Sequence, residues 1–197
     1  MRSPALAGKL LNAAARPHQR EDAIDPRLRS ALRARLTLGP ATRLLAFDAA
    51  VLDPPDAAAV AHLALCDVAP WPPGAASCTV AADPQRLPFV EALFDVAIVS
   101  HVVEASDAPA ALLREVRRVI APAGVVWLIV PRRRLSLDPL PGHHFARARL
   151  ERLMVEAMLE PVAWERVGGC HLVRAQPMGG LGAAAIGRVA ALRPVRA

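Results

Sequence analysis

Two short apolar runs with one amphipathic segment between them restrict the fold more than any other part of this sequence. Residues 94–100 (Phe-Asp-Val-Ala-Ile-Val-Ser) and 125–130 (Val-Val-Trp-Leu-Ile-Val) are rich in β-branched residues, which is typical of strands covered on both faces. Ser106, Asp107 and Pro109 favour the start of a helix between the two runs. We therefore predict a strand, a helix and a parallel strand, which form one βαβ unit with a right-handed crossover.

The predicted helix has one apolar face and one charged face, as expected of a helix that packs on a sheet. Pro122 and Gly124 are expected to end it. The apolar positions are Leu112, Leu113, Val116, Val119 and Ile120, and the charged positions are Arg114, Glu115, Arg117 and Arg118.

This stretch resembles the class I S-adenosylmethionine-dependent methyltransferases, and within them the type 11-like branch. The family features are an acid, Leu-Pro-Phe, a Phe-Asp-Val strand, a Leu-Arg-Glu-x-x-Arg-Val helix and a Pro-x-Gly turn. They stand here, in order, at Asp83, 87–89, 94–96, 113–119 and 122–124. The resemblance implies an α/β, Rossmann-like fold with a seven-stranded, mostly parallel sheet and a C-terminal antiparallel hairpin. It also implies S-adenosyl-L-methionine as the cofactor and methyl transfer to an acceptor that the residues do not identify.

The sequence departs from the family pattern after the first predicted strand, residues 43–48. The family has a glycine-rich turn there, because glycines let the backbone approach the cofactor. Residues 46–51 read Ala-Phe-Asp-Ala-Ala-Val and contain no glycine, so their side chains are expected to crowd the methionine part of the cofactor. A catalytically inactive, methyltransferase-like scaffold or interaction protein therefore stays open as an alternative.

Three acids at predicted strand ends are candidates for cofactor contacts. Asp48 either meets the cofactor's amino group or caps the next turn. Asp67 follows the predicted second strand, residues 63–66, where an acid often holds ribose hydroxyls, but it is equally a solvated loop acid. Asp83 ends the predicted third strand, residues 77–82, and matches the family acid that faces the adenine amino group; the alternative is a turn-forming Asp-Pro pair.

Leu87, Ser100 and His101 complete the predicted cofactor site. Ser100 and His101 lie at the carboxyl end of the fourth strand, where open α/β sheets place their ligands. His101 is also the one candidate for catalysis, as a general base, although a lone histidine here is more often a structural hydrogen-bonding residue. We expect Glu104 to hold the loop before the helix.

Two further clusters follow the fifth strand. Arg132-Arg133-Arg134 either binds an anionic substrate or forms a solvated charge run. The resemblance places the loop Gly142-His143-His144-Phe145 near the acceptor pocket. Adjacent histidines point in different directions and no neighbouring residues supply further ligands, so we expect no metal site.

Charge and cysteine content bear on partners and location. The formal net charge is +6, with Lys9 as the single lysine, which leaves a basic nucleic-acid-binding module as a second alternative, although no RNA-binding motif is present. Cys66, Cys78 and Cys170 are far apart and odd in number, which favours a reducing compartment and a cytoplasmic location. No apolar run approaches the roughly 20 residues of a membrane span, so we expect no membrane partner.

The remaining chain divides into an N-terminal arm (1–24), a methyltransferase-like domain (25–176) and a basic C-terminal tail (177–197). Within the domain we predict helices over 25–36 and 147–159, and the antiparallel hairpin over 162–175 with a tight turn at Gly168-Gly169. The prolines of residues 71–74 predict a shortened second crossover. An exposed apolar edge near the N-terminal helix would allow a homodimer.

Overall fold

A computed structural model describes residues 25–47, 52, 58–66, 78–80, 82–132 and 145–179. These residues form three helices and seven strands in one sheet. The helices are α1 (Pro26–Arg33), α2 (Pro109–Val119) and α3 (Arg147–Glu156). The strands are β1 (Arg43–Phe47), β2 (His62–Leu65), β3 (Cys78–Thr79), β4 (Phe94–Ser100), β5 (Ile120–Pro131), β6 (Leu159–Val167) and β7 (Cys170–Pro177).

The strand order is β3-β2-β1-β4-β5-β7-β6. Strands β1 to β5 run parallel, while β7 is antiparallel to both β5 and β6. The chain therefore moves outward from β1 in one direction and from β4 in the other, which is the doubly wound arrangement. The predicted α/β, Rossmann-like fold is confirmed, and β4 lies parallel to β5 with Ile98 beside Trp127.

Helices cover both faces of the sheet and divide the core into two layers. On one face α2 and α3 pack against alternate residues of the central strands, such as Val99 and Leu128. On the other face α1 packs against the intervening residues, such as Ile98 and Ile129. Since β4 and β5 are covered on both faces, they have the continuous apolar sequences of buried parallel strands.

The boundaries differ from prediction at several points. Helix α1 ends at Arg33 rather than residue 36, and α3 ends at Glu156 because Met158 takes a positive φ of 59° and Leu159 already begins β6. Strand β3 is two residues long in the described chain, shorter than the predicted 77–82.

Strand β5 begins five residues earlier than predicted, at Ile120. Phe94 pairs with Ile120 and Val96 with Val125, so the intervening residues form an irregularity in the ladder rather than a separate turn. Gly124 lies in this irregularity, and a Cβ there would come within 2.9 Å of the carbonyl oxygen of Asp95. The close approach of the two backbones explains why this position is a glycine.

The C-terminal hairpin forms with the predicted two-residue turn. Gly168 and Gly169 both have positive φ, 55° and 82°, and Val167 pairs with Cys170 across the turn. Two consecutive positive φ values identify the mirror-image turn that matches the twist of the strands it joins.

Several predictions fall outside the described residues. The arm 1–24, the tail beyond 179 and most of the second crossover, between Leu65 and Cys78, are among them, so the domain boundaries and the shortened crossover stay predictions. None of the helices in the described ranges is both long and apolar enough to cross a membrane.

Candidate functional site

The sheet has its topological switch point between β1 and β4. Phe47, the last residue of β1, pairs with Val99, and β4 continues one residue further to Ser100. Leu52, which follows β1, packs in the core layer of α1, whereas α2, which follows β4, packs in the other layer, so we expect a crevice between the carboxyl ends of β1 and β4. Ser100 ends β4 and His101 follows it, so both lie at this edge of the sheet. Their contact with a ligand stays a prediction.

His101 adopts a backbone conformation that is unusual for a residue with a side chain. Its φ is +54°, in the left-handed region, where histidine is found more often than most residues. The His101 N–H donates to the carbonyl of Ile129 (3.0 Å), and its Nδ1 lies 3.0 Å from Oε1 of Glu104. The strain of a non-glycine residue in this region persists only where the surrounding structure offsets it, and such residues are concentrated at functional sites. The expectation that Glu104 orders this loop agrees with its contact to His101.

Two buried polar atoms beside His101 have no hydrogen-bond partner among the described residues: Oγ of Ser100 and Oε2 of Glu104. Ser100 is 1% exposed, and the Glu104 side chain is 12% exposed. An unsatisfied buried polar atom costs about 1–3 kcal/mol, and native proteins usually satisfy such atoms with water, an ion or a ligand. Their position at the switch point makes these two atoms candidates for contact with a polar ligand.

The segment containing Asp83 forms a turn. Oδ1 of Asp83 accepts a hydrogen bond from the N–H of Gln85 (2.9 Å), and its carbonyl accepts one from the N–H of Arg86 (2.8 Å). This is the turn-forming alternative for the Asp-Pro pair. The side chain of Asp83 is nevertheless exposed and its Oδ2 has no hydrogen bond to a described residue, so its contact with adenine stays a prediction. Leu87 is 4% exposed and packs in the core on the α2 side of the sheet.

The charged residues of α2 have a role that the sequence did not reveal. Glu115 accepts a hydrogen bond from the N–H of Leu87 (3.0 Å) and pairs with Arg118 (2.8 Å). Arg118 also donates to the carbonyls of Leu87 (3.0 Å) and Phe89 (2.7 Å). Hydrogen bonds from Arg118, and then from the Leu87 N–H, lower the pKa of Glu115 against the opposing effect of burial. These two side chains hold the Leu-Pro-Phe segment on the helix, whereas helical periodicity alone placed them on a solvated face.

The acid of the Phe-Asp-Val strand lies at the opposite edge of the sheet from the crevice. Asp95 accepts hydrogen bonds from the Arg43 side chain (2.8 and 3.1 Å) and from the Arg43 backbone N–H (2.9 Å). The Arg43 side chain is the main cause of a lowered pKa for Asp95. The pair joins the first residue of β1 to the start of β4, so this acid aligns two strands and is remote from the ligand edge.

Part of the glycine-free segment belongs to the core. Ala46 is 0% exposed and Phe47 is 1% exposed, and their side chains pack on opposite faces of the sheet. They therefore do not occupy the crevice. The predicted crowding of the cofactor concerns residues 48–51, which lie outside the described residues, as do Asp48, Asp67, Arg133, Arg134, His143 and His144.

A cavity of about 450 Å³ lies between α2 and α3. Arg114, Arg117 and Met158 are among its lining residues. Both helices run back from the ligand edge, so the carboxyl-terminal halves that form this cavity lie toward the amino edge of the sheet. Its position therefore separates it from the switch point.

Comparison with known proteins agrees with this architecture. The methyltransferase domain family matches residues 57–128. No curated protein sequence shows significant similarity to the chain.

Solved structures extend the likeness to most of the chain. The 1,6-didemethyltoxoflavin-N1-methyltransferase of Burkholderia thailandensis, solved with bound 1,6-didemethyltoxoflavin and S-adenosylhomocysteine, has a TM-score of 0.62 and 19% identity, over 90% of this chain and 92% of that one. The cyclase SpnF has a TM-score of 0.63 and 17% identity, over 77% and 80% of the two chains. A Haloferax volcanii methyltransferase complex with the Trm112 activator has a TM-score of 0.65 and 12% identity, over 77% and 90%. At these identities the structures share the fold, and the presence of a cyclase among them shows that the fold supports more than one reaction.

Proposed function

We propose that this chain, which resembles the class I S-adenosylmethionine-dependent methyltransferases in both sequence and fold, binds S-adenosylmethionine at the β1–β4 switch point and transfers its methyl group to an acceptor. The observation that carries the proposal is a pair of buried oxygens with no hydrogen-bond partner among the described residues: Oγ of Ser100 at the carboxyl end of β4, and Oε2 of Glu104 in the loop that follows. The domain match over residues 57–128 and the strand order support it independently.

The chemistry of these oxygens suits such a ligand. A carboxylate oxygen accepts hydrogen bonds from hydroxyl or ammonium groups, and a serine hydroxyl both donates and accepts. S-adenosylmethionine, when bound, supplies a methyl group made electrophilic by the attached sulfonium. Positioning gives most of the acceleration in a displacement of this kind, so few essential side chains are required.

His101 is the residue best placed to accept a proton at the carboxyl edge of β4. When the neutral imidazole carries its hydrogen on Nδ1 and donates it to Glu104, Nε2 is left as an acceptor. That tautomer is the one able to remove a proton from an acceptor nucleophile. Glu104 would then act as a positioning residue for His101 while its second oxygen contacts the ligand.

One feature of the sequence favours the alternative of an inactive scaffold. Residues 46–51 lack the glycines that allow close backbone approach in the family's turn. The two functions differ in whether the cofactor binds at all.

The test is a calorimetric titration of the full chain with S-adenosylhomocysteine, the product form of the cofactor. We expect heat of binding, and we expect Glu104→Gln to weaken the affinity about tenfold because it removes a charged acceptor. Glu151→Gln, an exposed glutamate on α3, is the matched control and should bind like the wild type. The scaffold alternative would be favoured by an absence of heat together with no rise in melting temperature at about 1 mM ligand.

A further inference from the structure

A basic cleft opens at the carboxyl edge of β5, beside the start of α3. Its volume is about 300 Å³, at the lower end of the range for small-molecule pockets. The lining residues come from four separate segments of the chain: Arg132, Phe145, Ala146, Arg147, Arg166 and His171. Three of the six are arginines and none is acidic.

The sheet fixes the positions of these residues. Arg166 on β6 pairs directly with His171 on β7, so their side chains lie on the same face about 5 Å apart at Cβ. His171 in turn pairs with Val130, two residues before Arg132. The Arg132 N–H donates to the carbonyl of Gly169 in the hairpin turn (3.0 Å). The ladder and the turn therefore bring Arg132, Arg166 and His171 together without relying on a flexible loop.

Aromatic contacts hold the third arginine. The Cζ atom of Arg147 lies 4.8 Å from the centre of the Trp164 ring, within the range of a cation–π interaction. The same Trp164 ring meets the His171 ring edge to face, with 5.6 Å between their centres. Trp164 thus orients both Arg147 and His171 at the cleft. Helix α3 begins beside Arg147 without a side-chain cap, which leaves its first N–H groups to other acceptors.

The three cations have no carboxylate partner in the part of the chain that the structure describes. Arg35, Arg43 and Arg118 each pair with an acid, whereas the three cleft arginines, Arg132, Arg147 and Arg166, form no such pair with a described residue. The positive charges of these arginines act on His171, which is 6% exposed. Burial, followed by the charges of Arg132, Arg166 and Arg147, lowers the pKa of His171. Like charges gathered in this way repel each other, and a bound anion relieves that repulsion.

We infer that the cleft binds a carboxylate or phosphate group carried by the acceptor substrate, with Arg132, Arg147 and Arg166 as its ligands. The planar guanidinium group presents paired N–H donors that match either oxyanion. The assignment of the anion to the acceptor rests on the proposed function. The distance between the cleft and Ser100 supports this assignment, because β7 is two strands from β4, or about 10 Å away. An acceptor anchored here by its anionic group could reach the methyl donor with its nucleophile.

The test uses phenyl phosphate and benzoate as probes, with benzyl alcohol as the neutral comparison, each titrated into the full chain. We expect an anionic probe to bind, the neutral probe to bind much more weakly, and the preferred anion to separate phosphate from carboxylate recognition. Arg166→Gln should weaken binding of that anion about tenfold or more through loss of a charge-assisted hydrogen bond. Arg152→Gln, which removes an exposed arginine from α3, should leave it unchanged. The His171 imidazole NMR signal of the unaltered protein should move with the anionic probe, because the pKa of His171 rises when the cations are neutralised.

The inference would be overturned if neither anion bound at about 10 mM. It would also be overturned if Arg152→Gln weakened binding as much as Arg166→Gln, since equal effects would indicate general charge attraction. Failure of this site is distinguishable from failure of the proposed function. Binding of S-adenosylhomocysteine without anion binding would leave the methyltransferase proposal intact and remove the anion site. Anion binding without S-adenosylhomocysteine binding would keep the anion site and remove its assignment to a methyl acceptor.

Discussion

The carboxylate of Glu115 accepts a hydrogen bond from the backbone N–H of Leu87, 3.0 Å away and 28 residues earlier in the chain. Arg118, on the next turn of α2, donates to the carbonyls of Leu87 and Phe89 on the same segment. Two side chains of α2 therefore hold the irregular segment 87–89 by bonding to the backbone N–H and C=O groups of that segment. Bonds to backbone groups depend little on which side chains the segment carries. This explains why two charged residues are needed on a helix face that periodicity alone would assign to solvent.

Removing this carboxylate should destabilise the fold. Glu115→Ala leaves the Leu87 N–H without its acceptor and Arg118 without its partner, so the free energy of unfolding should fall by about 1–3 kcal/mol in urea denaturation. Glu151→Ala on α3 removes an exposed glutamate and should change it by less than about 0.5 kcal/mol. Equal effects of the two substitutions would contradict the structural role of Glu115.

The same carboxylate should contribute to acid sensitivity. The pKa of Glu115 is lower in the folded protein than its ordinary value of 4.5, mainly because of Arg118, so the unfolded chain binds more protons in acid. Its stabilising contribution is therefore present above pH 4.5 and is lost as the pH falls through the folded pKa. Glu115→Gln should flatten this part of the stability curve, measured by urea denaturation at a series of pH values. A variant curve parallel to the wild type through the acid range would show that Glu115 does not contribute.

The hairpin turn should reject a side chain at Gly168. A Cβ there would overlap the carboxylate of Asp25, and the φ of +55° disfavours any L-residue. Asp25 also caps α1 by accepting from the N–H of Arg27 (2.9 Å), so moving it aside weakens the cap. Gly168→Ala should lower the free energy of unfolding by about 1–3 kcal/mol.

Gly39→Ala is the matched control, because a Cβ at Gly39 meets nothing within 4 Å and its φ is not in the left-handed region. It should be neutral or slightly stabilising. Comparable melting temperatures for the two alanine variants would argue against the turn geometry.

The positive φ at His101 should make the stability of variants at this position depend on the shape of the new side chain. Valine is β-branched and poorly tolerated at a φ of +54°, so His101→Val should lower stability by about 1–3 kcal/mol. Asparagine accepts this conformation readily, so His101→Asn should be nearly as stable as the wild type. Chemical denaturation of the two variants provides the measurement, and equal stability of the two would mean that the conformation is not constrained.

The sequence predicted the fold better than the site. The strands β4 and β5 could be predicted because burial on two faces requires a continuous apolar run. Helix α2 could be predicted because burial on one face requires apolar residues at helical spacing. The Gly168-Gly169 turn was equally readable, since few other sequences accept two positive φ values.

The functional features left weaker signals. The basic cleft depends on pairing Arg166 with His171 and bringing both beside Arg132 and Arg147, contacts between distant segments that no local pattern encodes. Of the motif acids, Asp95 stabilises the amino edge and Asp83 forms a turn. The role of Glu115 could have been suspected from the spacing of Glu115 and Arg118, three residues apart, but its partner, the Leu87 N–H, is a backbone group with no sequence signature.

A crystal structure of the protein with S-adenosylhomocysteine tests the central claim most directly. The account predicts the ligand in the crevice between the carboxyl ends of β1 and β4, with a polar atom within about 3.2 Å of Glu104 Oε2 or Ser100 Oγ. Side chains of residues 48–51 filling that crevice, or the ligand bound elsewhere on the protein, would contradict it.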